Sequence, residues 1–244
     1  MKLFADTANL SDIEATLKRG FIQGITTNPS LLAKEPKSDF KLHVGRIVEL
    51  IRTYKDGIHL SVEVFSRDPL EIFKQAQVFR DELNYNHLSV KVHMGLEELE
   101  VIRRLKEDGF SVNCTCCMSA NQAVLAAASG ARYVSLFWGR IRDGGFKQED
   151  KSKRLEARKA GMLDNNDFDP FKVVRMARTF LDGGYPGVEI IAGSIRKATD
   201  IRDAGLAGAH IVTVPPKFFP QMAGHFKTEE VIKQFFTDFK NWLI

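Results

Sequence analysis

The chain has 244 residues, 44% of them hydrophobic and 27% charged, a balance that excludes disorder as its main state. Lysine and arginine number 35 against 31 acidic residues, and a formal net charge of +4 does not point to a nucleic-acid partner. No apolar run approaches the ~20 residues a bilayer needs, and the opening Met1-Lys2-Leu3-Phe4-Ala5-Asp6 lacks the core and cleavage site of a signal peptide, so a cytosolic chain with no membrane partner is expected.

Short β-branched and apolar runs alternate with amphipathic stretches from end to end. Strands are predicted at 2–6, 22–26, 59–64, 88–92, 111–115, 133–137, 188–192 and 210–213. They have the apolar character of parallel strands covered on both faces. Between them, helices are predicted at 11–19, 40–51, 69–82, 96–108, 121–129, 170–181 and 195–204. Ser11 is placed to cap the first. Gly20, Gly109, Gly130, Gly183 and Gly205 sit where left-handed caps are expected. The segment 142–169, after the sixth strand, is dense in charge and reads as a long connection, with a solvated helix in 152–159. A last helix, 228–243, carries Val231, Phe235, Phe236, Phe239 and Trp242 on one side and can pack on its own barrel or on a neighbour.

Eight strand–helix units in this length predict a single α/β domain, 1–244, closed into a (β/α)8 TIM barrel with an extra C-terminal helix. An open doubly wound sheet is the alternative, but neither GxGxxG nor GxxxxGK[ST] occurs to favour it. The three cysteines, Cys114, Cys116 and Cys117, lie within four residues of one another in a strand-like run. Their spacing suits neither a staple nor a zinc site, so packed thiols in a reducing compartment are expected, with Cys114 and Cys116 facing the helices by strand parity. No metal and no cofactor is implied.

Active sites of such barrels form at the C-terminal ends of the strands. There the sequence gathers Asp6, Thr26 and Asn28, Glu63, Lys91, Asn113 and Thr115, Ser135 and Phe137, Arg140, and then Ser194 and Arg196. So many polar groups at one level of a barrel are costly unless they perform chemistry. Lys91 is the sharpest of them, since it sits between apolar residues in Leu88-Ser89-Val90-Lys91-Val92. A lone lysine near a strand end ordinarily snorkels to solvent. Here Glu63 precedes it and Asn113 and Thr115 follow on the adjacent strands. Burial disfavours the charged form of an amine, and a free amine attacks carbonyls to form a Schiff base. Asp6 and Glu63 are the candidate proton carriers, directly or through a water held by Thr115. Arg140, Ser194 and Arg196 follow late strands, where barrels often bind phosphate.

These residues together resemble the transaldolase family of the small-subfamily type. FADTANLSDIE, GITTNPSLLAKE, SVEVFS, LSVKVHMGLEEL, NCTCCMSANQAVLAAASGARYVSLFWGRIRDGG, IIAGSIRKATDI and HIVTVPPK occur in family order over nearly the whole chain. The resemblance implies transfer of a dihydroxyacetone unit between sugar phosphates, without metal or organic cofactor, in a homo-oligomer. It gives Lys91 the Schiff base, Asp6 the acid–base role, and Glu63 with Thr115 the catalytic water. Thr26, Asn28, Asn113, Ser135 and Phe137 then bind substrate, and Arg140, Ser194 and Arg196 surround its phosphate. Relatives that act instead as fructose 6-phosphate aldolases tend to carry Gln and Tyr where this chain has Glu63 and Phe137. A catalytically silent sugar-phosphate binder is the remaining alternative. The family's usual KVP-x-Thr is replaced by Lys91-Val92-His93-Met94-Gly95, which drops a cap for the next helix and adds an imidazole at the parity of Lys91.

Overall fold

Buried on both faces, the apolar runs have only one another to pair with, and they close into a parallel barrel in which each strand bonds the next and the last returns to the first. The computed structural model describes residues 1–243. The strands are β1 (Lys2–Asp6), β2 (Gly24–Thr26), β3 (His59–Glu63), β4 (Leu88–His93), β5 (Ser111–Cys117), β6 (Tyr133–Phe137), β7 (Glu189–Gly193) and β8 (Ile211–Val214). Register places Glu63 beside Lys91, Lys91 beside Asn113, and Asp6 beside Thr26.

Outside the barrel run α1 (Leu10–Lys18), α2 (Pro29–Leu32), α3 (Phe40–Lys55), α4 (Pro69–Leu83), α5 (Leu96–Glu107), α6 (Ala120–Ala128), α7 (Trp138–Phe146), α8 (Lys151–Lys159), α9 (Pro170–Gly184), α10 (Ala198–Ala207), α11 (Phe219–Ala223) and α12 (Phe226–Trp242). The main core lies between strands and helices and includes Ile25, Val62, Val90, Val92 and Ile102. A second, smaller cluster of Phe4, Ile191 and Ile211, with Tyr133 against it, fills the barrel's N-terminal end. Gly24 admits the Phe4 ring there, since a Cβ at 24 would lie 2.7 Å from it.

Several local expectations are corrected. Asn9, not Ser11, caps α1, accepting from the Asp12 amide at 3.0 Å. Residues 22 and 23 precede β2 rather than belonging to it. Gly20, Gly109 and Gly130 are left-handed as expected, whereas Gly183 and Gly205 lie inside α9 and α10. The left-handed residues that end α4 and α10 are Asn84 and Gly208. Residues 142–169 are mostly helical, running through the end of α7 and all of α8 to the cap of α9. A bulge between Cys114 and Cys117 breaks the parity of β5. Cys116 has φ 61° and faces the cavity described below, while the Cys114 and Cys117 sulfurs are buried 3.8 Å apart as free thiols. Among the described residues no helix is long and apolar enough to cross a membrane.

Candidate active site

A cavity of about 950 Å³ opens at the C-terminal ends of the strands. Alternation along β1, β3 and β4 turns Asp6, Glu63 and Lys91 into it. Lys91 is 4% exposed, and its Nζ lies 2.8 Å from Glu63 Oε2 and donates to the Thr27 carbonyl at 2.8 Å. A buried ammonium is tolerable when paired and hydrogen-bonded in this way. The same contact gives its proton a carboxylate to pass to.

Asp6 accepts from Thr26 Oγ1 at 2.9 Å, and Thr26 Oγ1 lies 2.5 Å from Thr213 Oγ1 on β8. If Thr26 gives its proton to Asp6, Thr213 supplies the next one. Burial pushes the Asp6 carboxyl up from its ordinary range, while Lys91 and the Thr26 hydroxyl pull the other way. A carboxyl whose proton affinity burial has raised is a candidate proton carrier.

Thr115 Oγ1 lies in the same wall and is the one buried side-chain polar atom among the described residues with no hydrogen-bond partner. Such an atom, in a cavity that also holds Glu63, is where a bound water is to be looked for. Ser135 and Phe137 also line the cavity. Asn28 does too, its side chain capping α2 by accepting from the Leu31 amide at 3.0 Å. Asn113 stands apart: wholly buried beneath the cavity, it bonds Ser61 and Ser135.

At the other side stand Arg140, Ser194 and Arg196. Ser194 is left-handed at φ 59°, and its carbonyl accepts from the Gly139 amide at 3.0 Å. A side chain at 139 would crowd this turn, since its Cβ would lie 2.6 Å from Arg196 Nε. Buried Asp200 accepts from the amides of Arg196 and Lys197 at 3.0 and 3.2 Å and from Arg142 Nη1 at 2.9 Å. That fixes the turn. The Arg196 guanidinium rests 3.1 Å from Asp143 and is half-exposed, free to exchange that partner for a phosphate.

His93 turns toward α5, with Nε2 2.8 Å from buried Glu98. Gly95 precedes α5 and gives it no side-chain cap. Lys34, Lys217 and Cys116 line the cavity without having been expected there. The lysines stand in GITTNPSLLAKE and HIVTVPPK, where their position after β2 and β8 is the available signal. Among the described residues no cluster of metal-ligating side chains is found.

The profile of the Transaldolase/Fructose-6-phosphate aldolase family matches residues 3–244. A "Probable transaldolase" of Dehalococcoides mccartyi is 36% identical over 241 residues, covering 99% of this chain and 99% of that protein. Proteins with the same description from Alkaliphilus metalliredigens and Symbiobacterium thermophilum are 37% and 36% identical, each over 98% of this chain and over 98% and 97% of their own lengths.

Proposed function

The chain belongs to the transaldolase/fructose-6-phosphate aldolase family, and we propose that within it this protein is a transaldolase, moving a dihydroxyacetone unit between sugar phosphates through a Schiff base on Lys91. The observation that carries the reading is the buried Lys91 ammonium, 2.8 Å from Glu63, in a cavity that also holds Asp6.

The Lys91 amine attacks the ketone carbon of fructose 6-phosphate, and loss of water gives the protonated imine. Asp6 takes the proton of the C4 hydroxyl as the C3–C4 bond breaks, the electron pair passing into the imine to form an enamine. Glyceraldehyde 3-phosphate leaves. The enamine carbon then attacks the aldehyde of erythrose 4-phosphate, Asp6 returns its proton to the new hydroxyl, and water hydrolyses the imine. Glu63 and Thr115 hold the water for the first and last steps. Asn28, Ser135 and Thr26 bind the hydroxyl-bearing carbons, Asn113 orients Ser135 from beneath, and Arg140, Ser194 and Arg196 take the phosphate.

The enamine can instead be protonated and released as dihydroxyacetone, which is the aldolase outcome. Phe137 offers no proton to its side of the cavity and supports transfer over release. Transfer from fructose 6-phosphate to erythrose 4-phosphate well above the rate of dihydroxyacetone release is the expected result when both products are measured in one reaction. Release as fast as transfer makes the protein an aldolase, and neither product makes it a silent binder.

A homo-oligomer is part of the proposal. In α12, Phe235 and Phe236 are each 65% exposed and Trp242 75%, so this apolar side has no cover from its own barrel. A neighbouring copy is the natural cover. The three free thiols support a reducing, cytosolic setting.

A further inference from the structure

Beneath the catalytic level a chain of hydrogen bonds crosses the barrel interior. His59 Nε2 lies 2.6 Å from Ser61 Oγ. Asn113 Nδ2 donates to that same oxygen at 3.1 Å, and Ser135 Oγ donates to Asn113 Oδ1 at 2.7 Å. Ser61 and Asn113 are wholly buried, and Ser135 is the member that reaches the cavity. The other end is His59 at the start of β3, stacked on Phe4 at 4.9 Å between ring centres and met edge-on by Tyr133 at 4.6 Å.

A hydroxyl has one proton to give, and a primary amide has one donor side and one acceptor side. The direction of such a chain is therefore set at its end. If His59 Nε2 is bare, Ser61 gives its proton to the ring and can only accept from Asn113. The Asn113 nitrogen then faces Ser61 and its oxygen faces Ser135. Ser135 spends its proton on that oxygen and turns lone pairs to the cavity. If His59 carries a proton on Nε2, Ser61 accepts from the ring and its own proton is released for Asn113; the amide can then turn over, its nitrogen facing Ser135, which points its O–H into the cavity. The orientation of Asn113 in the structure is the first of these. Burial, with Lys2, Arg132 and His87 nearby, pushes the imidazole down to about 3, which leaves the ring neutral and able to accept.

We propose that His59, at the far end of the barrel, is a positioning residue that fixes the direction of the Ser61–Asn113–Ser135 chain so that Ser135 offers a substrate hydroxyl an acceptor. The kinetic half of this inference rests on the transaldolase reading. The direction of the chain is a property of the resting protein and is tested without substrate.

Long-range ¹⁵N–¹H correlation of the full chain near neutral pH reads the ring directly. A protonated Nδ1 and a bare Nε2 on His59 are expected, and a proton on Nε2 overturns the proposal. The kinetic arm is a double-mutant cycle of His59→Phe, which keeps the stacked ring without its acceptor, with Ser135→Ala. His59→Phe should raise KM for fructose 6-phosphate by roughly 2- to 12-fold, the worth of about one hydrogen bond, with a smaller change in kcat. In the Ser135→Ala background it should raise KM no further. Residues without direct contact ordinarily give additive effects, so an additive rise overturns the proposal. Ser61→Ala cuts the chain in its middle and must show the same coupling, which covers poor folding of His59→Phe. Should the wild type form no borohydride-stable adduct with fructose 6-phosphate, the functional reading fails, and the ring nitrogens alone decide the chain.

Discussion

Lys91→Met removes the amine, keeps the bulk of the side chain and strands Glu63. The two side chains are 6% and 13% exposed with 2.8 Å between their charged atoms. Removing one partner of a buried ion pair ordinarily costs about 3–5 kcal/mol. The cavity lets water reach Glu63, so about 1–3 kcal/mol is expected here. For a domain of this size each kcal/mol moves Tm by about 2–4 °C, which gives a fall of roughly 2–12 °C. Lys91→Met/Glu63→Gln removes the stranded carboxylate and should recover most of the loss. Thermal unfolding by circular dichroism near neutral pH measures all three proteins. A single variant as stable as the double would refute the pairing of these groups as the reason Lys91 tolerates burial. The double variant also carries the functional test: it should be folded and lack both transfer and release by several orders of magnitude.

Arg196→Ala should weaken phosphorylated substrates by roughly 10- to 100-fold, the worth of a charge-assisted contact, and change turnover of unphosphorylated dihydroxyacetone little; an equal loss with both contradicts the phosphate assignment. Because burial raises the Asp6 carboxyl above its unfolded value, its charge costs stability at neutral pH and costs nothing once pH falls below the ordinary carboxylate range. Asp6→Asn should therefore be inactive yet have a higher Tm than the wild type near neutral pH, with the gap closing on acidification; a gap that widens toward acid contradicts the sign. Light scattering at micromolar concentration should return an oligomer, and Phe235→Asp/Phe239→Asp on α12 should lower its mass. A monomeric wild type contradicts the oligomer.

The barrel was legible because parallel strands buried on both faces leave continuous apolar runs, and eight of them recur with helices between. The site was legible for a related reason: parity along β1, β3 and β4 turns Asp6, Glu63 and Lys91 inward, and these are residues no apolar core requires. Parity failed at Cys116, where the β5 bulge adds a residue that no local pattern announces. The Gly-rich stretch Arg142–Gly145 looked like loop, yet it is helical in α7, where Gly145 makes room for Phe168 packed against it. Ser11 lost the cap of α1 to Asn9, an equally good capping type two residues earlier. The start of α10 falls later than the sequence pattern predicts because the left-handed Ser194 and the amide bonds that Asp200 accepts hold residues 194–197 as a turn. His59 shares the inward parity of Ser61 and Glu63, so its place in the barrel interior was available from the sequence, while its hydrogen-bond partners from other strands were not.

The central claim is a covalent intermediate on Lys91, and trapping measures it most directly. Wild-type protein is incubated with fructose 6-phosphate, reduced with borohydride, digested and weighed peptide by peptide. A reduced three-carbon unit is expected on the peptide that holds Lys91, absent without sugar and absent in the folded Lys91→Met/Glu63→Gln variant. An unmodified Lys91 peptide in protein that is turning over substrate, or the adduct on another lysine such as Lys34 or Lys217, would contradict it.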